Sequence, residues 1–530
     1  MLNRCLSKYL SVIIFLFWTS SHLANALSTD GSSNLLVSNS KELGELSIDI
    51  DGDGTVDALT DGLLLLRYMF GLSGNSLISG VISDTATYTS SNDLISRISA
   101  LGNTIDIDNN GDVDALTDGL MILRYLFGID GSALVNNVIG ANANRTSSSD
   151  IENHLQQLAD IPSNESRQPN IILIISDDHG LDSSAQYALN NDSPKTPNLD
   201  QLASSGIVFD NAWATPVCTT TRSTMITGKY GVNSGVLNVG DIIPADSVIL
   251  QRHIKDNPST SNYVSAVIGK WHLGGSSPQA NHPNDMGVNY YAGNLRGAIN
   301  DYESWPLTIN GQTNQNTTYH TTKTTDLAID WIGAQTEPWF LWLAYVAPHS
   351  PFHLPPPSLH SQNLSGTEED IATNPRPYYL AAIEAMDTEI GRLLSSLSQE
   401  ERDNTTILFI GDNGTPRQVA DRSIYANGSK GNLTEGGLAV PMIVSGAGVS
   451  RQGVREDALI SSTDFFATIT NIAGSSETSV EDSKSFKHLL SSNSSSHREY
   501  LYSDFSGNNV SGWAVRNNFF KLISIDSGQE

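Results

Sequence analysis

The sequence predicts an α/β protein with a mostly parallel central sheet, preceded by a small helical module. Three observations carry this: a duplicated acidic loop near the amino terminus, several short apolar runs without in-and-out alternation, and helical stretches between those runs. A chain of 530 residues with 39% hydrophobic content has enough apolar material for two or three domains.

The first element, residues 1–26, reads as a secretory leader. Arg4 and Lys8 precede the apolar run 10–18, and Ala24-Asn25-Ala26 supplies a small-x-small cleavage site. That run is too short to span a bilayer, and no other stretch approaches the roughly 18 apolar residues a span needs. The expectation is a secreted or periplasmic protein without a membrane anchor. Cys5 leaves with the leader, so Cys218 stands alone in the mature part, whereas cysteines in an oxidising compartment ordinarily pair. By residue type, Cys218 is either a buried structural thiol or a reactive group. The net charge of -28, from 57 acidic against 29 basic residues, argues against nucleic acid and anionic membrane surfaces as partners.

The second element, 27–140, holds the repeat. IDIDGDGTVDALTDGLLLLRYMFGL starts at Ile48 and IDIDNNGDVDALTDGLMILRYLFGI at Ile105. In the first copy Asp49, Asp51, Asp53, Thr55 and Asp57 fall at alternate positions of a calcium loop, with Gly54 at the sharp turn. The second copy offers Asp106, Asp108, Asn110, Asp112 and Asp114 around Gly111. The last carboxylates, Asp61 and Asp118, stand one place beyond the usual twelfth position. Alternating oxygen donors on a bending chain suit a hard cation, and Ca2+ is expected. The pair resembles the dockerin module of bacterial secreted enzymes, which implies a helix after each loop, at 62–70 and 119–127, and a cohesin-like protein partner.

A Ser-, Asn- and Asp-rich stretch, 141–169, reads as a linker with a short helix near 151–158. Apolar runs at 171–175, 263–268, 339–346, 406–410 and 442–444 then read as buried strands of a parallel sheet. Thr196 as N-cap, Pro197 in the first turn and Gly206 at the exit bracket one helix, and 378–397 forms another. This region, 170–475, is the expected catalytic domain. A second Ser-rich stretch near 475–497 leads into a tail, 476–530, that ends as a strand pair begins.

In open parallel sheets the binding crevice lies beyond the carboxyl ends of the strands. Four runs deliver polar residues there: Asp177-Asp178, Lys270-Trp271-His272, Pro348-His349 and Asp412-Asn413. Asp177, Asp178, Asp412 and Asn413 offer an all-oxygen set for calcium or magnesium. Singly, each reads as a cap or turn residue; two pairs at equivalent places argue for a site. Arg222, Lys270, Lys430, His272 and His349 gather near the same turns, which an anion beside the metal explains. Cys218 opens a helix, where free N–H groups and the helix dipole favour negative charge, and Arg222 follows one turn later on the same face.

IILIISDDHG, TPNLDQLASSGIVFDNAW, CTTTRSTMITGKYG, IGKWHLGG, PHSPF, GDNG, KGNLTEGGLAVP and STDFFATI, in this order from about 170 to 522, resemble the sulfatase family of the alkaline phosphatase-like superfamily. The resemblance implies a three-layer fold around a mostly parallel sheet. It also implies that a maturation enzyme converts Cys218 to formylglycine, whose hydrate attacks the sulfur of a sulfate ester beside a calcium ion held by Asp177, Asp178, Asp412, Asn413 and the group derived from Cys218. Arg222 and Lys270 would hold the hydrate. His349 and Lys430 would bind sulfate and help the alcohol leave with a proton, while His272 would assist release of sulfate from the enzyme. The family usually carries Cys-x-Pro-x-Arg or Cys-x-Ala-x-Arg; Thr220 takes the middle place here, a departure that bears on maturation. The family's small carboxy-terminal subdomain is expected to be incomplete. The function implied is an exported sulfuric ester hydrolase, arylsulfatase-like, acting on a sulfated polysaccharide or an aryl sulfate. Two alternatives stand beside it: a phosphodiester or phosphonate hydrolase of the same superfamily, and a calcium-dependent binding protein with an inactive sulfatase-like domain.

Overall fold

All five apolar runs become strands of one ten-stranded sheet. In chain order its strands are β1 (Asn170–Ser176), β2 (Gly206–Trp213), β3 (Val264–Gly269), β4 (Tyr290–Gly293), β5 (Trp305–Ile309), β6 (Gln312–Asn316), β7 (Trp339–Ala344), β8 (Thr405–Gly411), β9 (Met442–Gly446) and β10 (Val454–Ser461). The computed structural model describes residues 47–159, 168–426, 428–492, 497–507 and 511–526, so the expected leader lies outside the described residues. The chain divides into two units near residue 161.

Across the sheet the order is β10-β2-β9-β8-β1-β7-β3-β4-β5-β6. β8, β1, β7, β3 and β4 are parallel neighbours. Their carboxyl ends are level, since Ser176 lies opposite Gly411, and Ala344 opposite both Ile175 and Gly269. Ile171, Leu173 and Ile175 enter one buried cluster, Ile172 and Ile174 another. Both faces of the sheet are therefore covered, which is why these strands carry no alternation.

The run 442–444, expected as a parallel strand, is antiparallel to both β8 and β2. The chain leaves β8 at the carboxyl edge, remains there through the loop that carries Lys430, and re-enters the sheet from that edge. The helix Pro197–Ser204 forms as expected, yet Thr196 does not cap it. The Asp387 carboxylate accepts from the N–H groups of Asn198 and Leu199 instead, at 3.1 and 2.8 Å. Asp387 belongs to the long helix Pro375–Ser396, which begins at a proline three residues before the expected start.

The Ser-rich stretch after 475 is not a spacer. Phe486, Leu489 and Leu490 are buried in the main core. Strands Leu501–Ser506, Ser511–Arg516 and Lys521–Ile525 follow as a three-stranded antiparallel sheet, more than the strand pair expected. Its Leu501, Phe505 and Ala514 join Trp213 and Leu438 in a further cluster.

In the amino-terminal unit helix Asp61–Met69 follows the first loop, and a wide turn, Ala115–Gly119, leads from the second loop into helix Leu120–Leu126. A Cβ on Gly119 would stand 2.9 Å from the Leu66 side chain and one on Gly62 3.0 Å from that of Leu123, so the helices approach each other through these glycines. Helix Ser148–Ala159 buries Ile151, Leu155 and Leu158 in the same core as the repeats. The packed unit thus continues past the boundary expected at 140.

Candidate active site

Because the strand ends are level, the residues just beyond them are neighbours. Asp412 donates its N–H to Ser176 O (2.9 Å), and Asp178 donates its N–H to Asp412 Oδ1 (3.0 Å). Asp178 has φ of +64°, a left-handed conformation unusual for a non-glycine residue and held here by the Tyr379 hydroxyl, which donates to its carbonyl at 2.8 Å.

β2 leads into helix Cys218–Thr227, and this helix start brings Cys218 under the sheet edge. Its sulfur and one oxygen each of Asp177 and Asp412 lie within 4.8 Å of one another; so do one atom each of Asp177, Asp178 and His349. Arg222, fully buried, donates through Nε and Nη2 to Asp412 Oδ2 (3.1 and 2.8 Å) and through Nη1 to Lys270 O (2.9 Å). Lys270 pairs with Asp177, and Lys430 with Asp178. Asn413 Nδ2 donates to Asp178 Oδ1 at 2.8 Å.

Burial, reinforced by the Asp412 carboxylate, pushes the Asp177 carboxyl up to about 8. Burial also works to raise Asp178, but Lys430 and His349 outweigh it and hold this carboxyl far below its usual range. Burial likewise tends to lower Lys430, which Asp178 overcomes, so the ammonium stays protonated. The Cys218 thiol is pushed up by burial. The set fits a divalent cation: Asp177 Oδ1 and Asn413 Oδ1 are buried without a hydrogen-bond partner among the described residues, and both belong to an oxygen-rich cluster.

His349 Nδ1 lies 2.7 Å from Ser350 O, so it carries the proton and leaves Nε2 facing Asp178 Oδ2 at 3.7 Å. Burial lowers this imidazole to about 4. The Tyr302 hydroxyl fixes the loop by donating to His349 O (2.7 Å). His272, at φ of +57°, meets Thr219 Oγ1 at 3.1 Å from Nε2, and burial, then Lys270 and Arg222, hold it well below its ordinary value. Only glycine fits opposite its ring, since a Cβ on Gly297 would stand 2.1 Å from His272 Cε1.

All ten active-site residues expected from the sequence gather at this edge. Thr219, Tyr302 and Tyr379 were not anticipated; no pattern marks a lone Thr or Tyr as the support of a neighbour's carbonyl or ring. Thr220, the departure from the family pattern, hydrogen-bonds Thr215 Oγ1 and, at 2.9 Å, Val217 O.

The repeats divide their expected ligands. Asp49, Asp51 and Asp53 cluster within 4.8 Å, as do Asp106, Asp108 and Asp118. Asp51 Oδ1 and Asp108 Oδ1 are buried without a hydrogen-bond partner among the described residues. Asp57 and Asp114 turn instead to the following helical turns, accepting from the N–H groups of Leu59 and Thr60 and of Leu116 and Thr117. Asp61 accepts from the N–H groups of Ile50, Asp51 and Asp57, tying its loop together, and Asp118 does the same for Ile107, Asp108 and Asp114. Thr55 donates its hydroxyl to Asp53 (2.6 Å). Asn110 Oδ1 accepts from the N–H of Asp112 at 2.8 Å.

A protein-family model described as Sulfatase matches residues 169–475. Arylsulfatase J of Mus musculus is 27% identical over 328 residues, covering 58% of this chain and 52% of the relative. N-acetylgalactosamine-6-sulfatase of Homo sapiens is 29% identical over 350 residues, 58% of this chain and 62% of the relative. The chain thus spans about half to two thirds of the length of these relatives. The crystal structure of Ps i-CgsB in complex with k-i-k-neocarrahexaose aligns with a TM-score of 0.56 and 27% identity, over 69% of this chain and 85% of that one.

Proposed function

From the premise that the chain belongs to the sulfatase family, we propose that it is an exported sulfuric ester hydrolase that cleaves sulfate esters of a polysaccharide. The observation that carries the proposal is the sulfur of Cys218 standing among the carboxylates of Asp177 and Asp412, with Arg222, Lys270 and Lys430 paired to that same cage.

Asp177, Asp178, Asp412 and Asn413, with the group at 218, would hold a calcium ion, which supplies a Lewis acid for a sulfate oxygen. Conversion of Cys218 to formylglycine would supply an aldehyde hydrate as nucleophile. The remaining work falls to the chain's own side chains. Arg222, anchored on Asp412 and the Lys270 carbonyl, sets a fixed positive charge one helical turn from position 218. Lys430 and His349 reach the cage from two other loops through Asp178. Lys430, the charged donor, binds the sulfate group and stabilises the departing alcohol oxygen, and His349 joins it once its Nε2 takes up a proton. His272, neutral because it is buried, can accept a proton near position 218 when sulfate is released.

Among the described residues no helix is long and apolar enough to cross a membrane. The complex of Ps i-CgsB with k-i-k-neocarrahexaose supports a carbohydrate substrate. In the amino-terminal unit, the carboxylate clusters and the unpartnered oxygens of Asp51 and Asp108 suit calcium and support a dockerin-like module that docks on a cohesin-like protein. Expression with a maturation enzyme, followed by mass measurement of the peptide containing Cys218 and turnover of aryl sulfate against aryl phosphate, tests the reading. An aldehyde at 218 with sulfate preferred supports it; an aldehyde with phosphate preferred overturns it.

A further inference from the structure

We propose that Arg296 forms a second anion subsite, so that the substrate carries a further acidic group, a sulfate ester or a carboxylate, near the sulfate that is removed. This rests on the sulfatase reading above and specifies its substrate class.

Among the described residues of the catalytic unit, every arginine guanidinium but three has a hydrogen-bond or ion-pair partner. The three are Arg296, Arg417 and Arg422, and all are exposed. In a chain with 57 acidic and only 29 basic residues, partners for an arginine are plentiful. The three without one share a location: Arg296 follows β4, and Arg417 and Arg422 follow β8, so all stand on loops at the carboxyl edge of the sheet, where the active site opens. The other described arginines of the unit are engaged; these three are left available.

Arg296 is the one held against the site. Its neighbour Leu295 accepts the His272 N–H at 3.1 Å, and its other neighbour, Gly297, lies directly against the His272 ring. The Arg296 carbonyl accepts from Asn294 Nδ2 at 2.9 Å, and Asn294 is itself buried, held by Trp271 N–H at its carbonyl and by His320 Nε2 at Oδ1. The backbone is therefore fixed while the guanidinium is free, the arrangement that lets a planar fork engage a carboxylate or sulfate at small entropic cost. A small aryl sulfate would not extend to it; a sugar chain with a second acidic group would.

The test uses the matured full chain and Arg296→Gln and Arg296→Lys variants. The substrates are 4-nitrophenyl sulfate, a monosulfated disaccharide, and the same disaccharide bearing either a second sulfate or a carboxylate. In Arg296→Gln the ratio of kcat/KM for doubly over singly charged disaccharide should fall about fivefold, chiefly through KM, as expected for one rim ion pair, with part of it retained in Arg296→Lys. A fall confined to the sulfate-bearing or to the carboxylate-bearing substrate supports the subsite and identifies its ligand. An unchanged ratio in Arg296→Gln, with sulfate esters still hydrolysed, overturns the subsite alone. A matured enzyme that hydrolyses no sulfate ester overturns the function on which the subsite depends.

Discussion

Two of the buried charge clusters in the catalytic unit are built differently. Asp464 accepts from the N–H groups of Ser461 and Lys484, from His497 Nε2 and from the Arg498 guanidinium, so both of its oxygens are engaged. In the cage at the sheet edge, Asp177 and Asn413 each keep one buried oxygen without a partner, and carboxylates crowd one another. Burial of charge is thus common to both, and satisfaction is what separates them. The first cluster holds helix Asp464–Ile472 to the segment at 497–498; the second keeps two buried oxygens available to a ligand.

The sharpest test of this contrast is Cys218→Ala. It removes the one cysteine among the described residues and leaves the carboxylates of the cage in place, so sulfate-ester turnover should fall by at least about 10³-fold while the thermal transition stays near that of the parent. Residual turnover within tenfold of the parent would move the chemistry elsewhere.

Paired substitutions at the two clusters come next. Asp464→Asn leaves Arg498 and His497 buried with a weaker partner and should cost about 3–5 kcal/mol of stability, read by denaturant unfolding, with turnover per folded molecule retained. Asp177→Asn relieves repulsion with Asp412 and Asp178 even as it weakens the pair with Lys270, so in calcium-depleted protein it should cost much less, yet abolish the rise in thermal stability that calcium produces. Equal losses at the two sites would erase the distinction. Acid should reveal the same contrast. Burial works to raise the Asp464 carboxyl, but His497 and Arg498 outweigh it and hold it below its usual value of 3.8. Its contribution is present above the unfolded carboxylate value and is lost as pH falls through the lower folded one, so the gap between parent and Asp464→Asn should narrow below about pH 4.

How much of this contrast could be read from residues alone is instructive. The Asp-Asp and Asp-Asn pairs are visible because each stands one residue beyond a mostly apolar run, Ile171 to Ile175 or Thr406 to Ile410, and such runs announce buried parallel strands. β2 and β10 escape the same reading, because Asp210 and Asn211 interrupt one and Arg455, Glu456 and Asp457 the other. β6, all polar and mostly exposed, carries no apolar signal at all. The reversed direction of β9 depends on which edge the preceding loop occupies, and the cap on helix Pro197–Ser204 comes from Asp387, far away in sequence. Asp464, the satisfied carboxylate, looks no different in sequence from Asp412. Only its partners, brought from 484, 497 and 498, show that its valences are filled.

Lys430→Ala refines the contrast within the cage. Lys430 stands on a glycine-flanked loop and answers Asp178, whereas Lys270 is enclosed with Asp177 beneath it. Loss of Lys430 should lower kcat on sulfate esters about 10²-fold with little change in the unfolding midpoint, the result for a preorganised charge aimed at substrate. A large stability loss without a rate effect would class Lys430 with Arg498 instead.

The smallest effect tests whether an unpartnered buried oxygen forecasts a ligand in a region with no chemistry of its own. Asp51 Oδ1 and Asp108 Oδ1 occupy matching places in the two repeats, each beside two further acidic side chains. Asp51→Asn keeps the size of the side chain and its acceptor for the Ser83 N–H, which now meets Oδ2 at 2.9 Å, while removing one negative charge from the loop. Calorimetric titration of the full chain with calcium should show one amino-terminal site weakened about tenfold and the loop at 106–118 unchanged, because charge count sets affinity in such loops. Unaltered affinity would mean that the first loop is held by its own hydrogen bonds, as Asp464 is, and that a missing partner there carries no message about a cation.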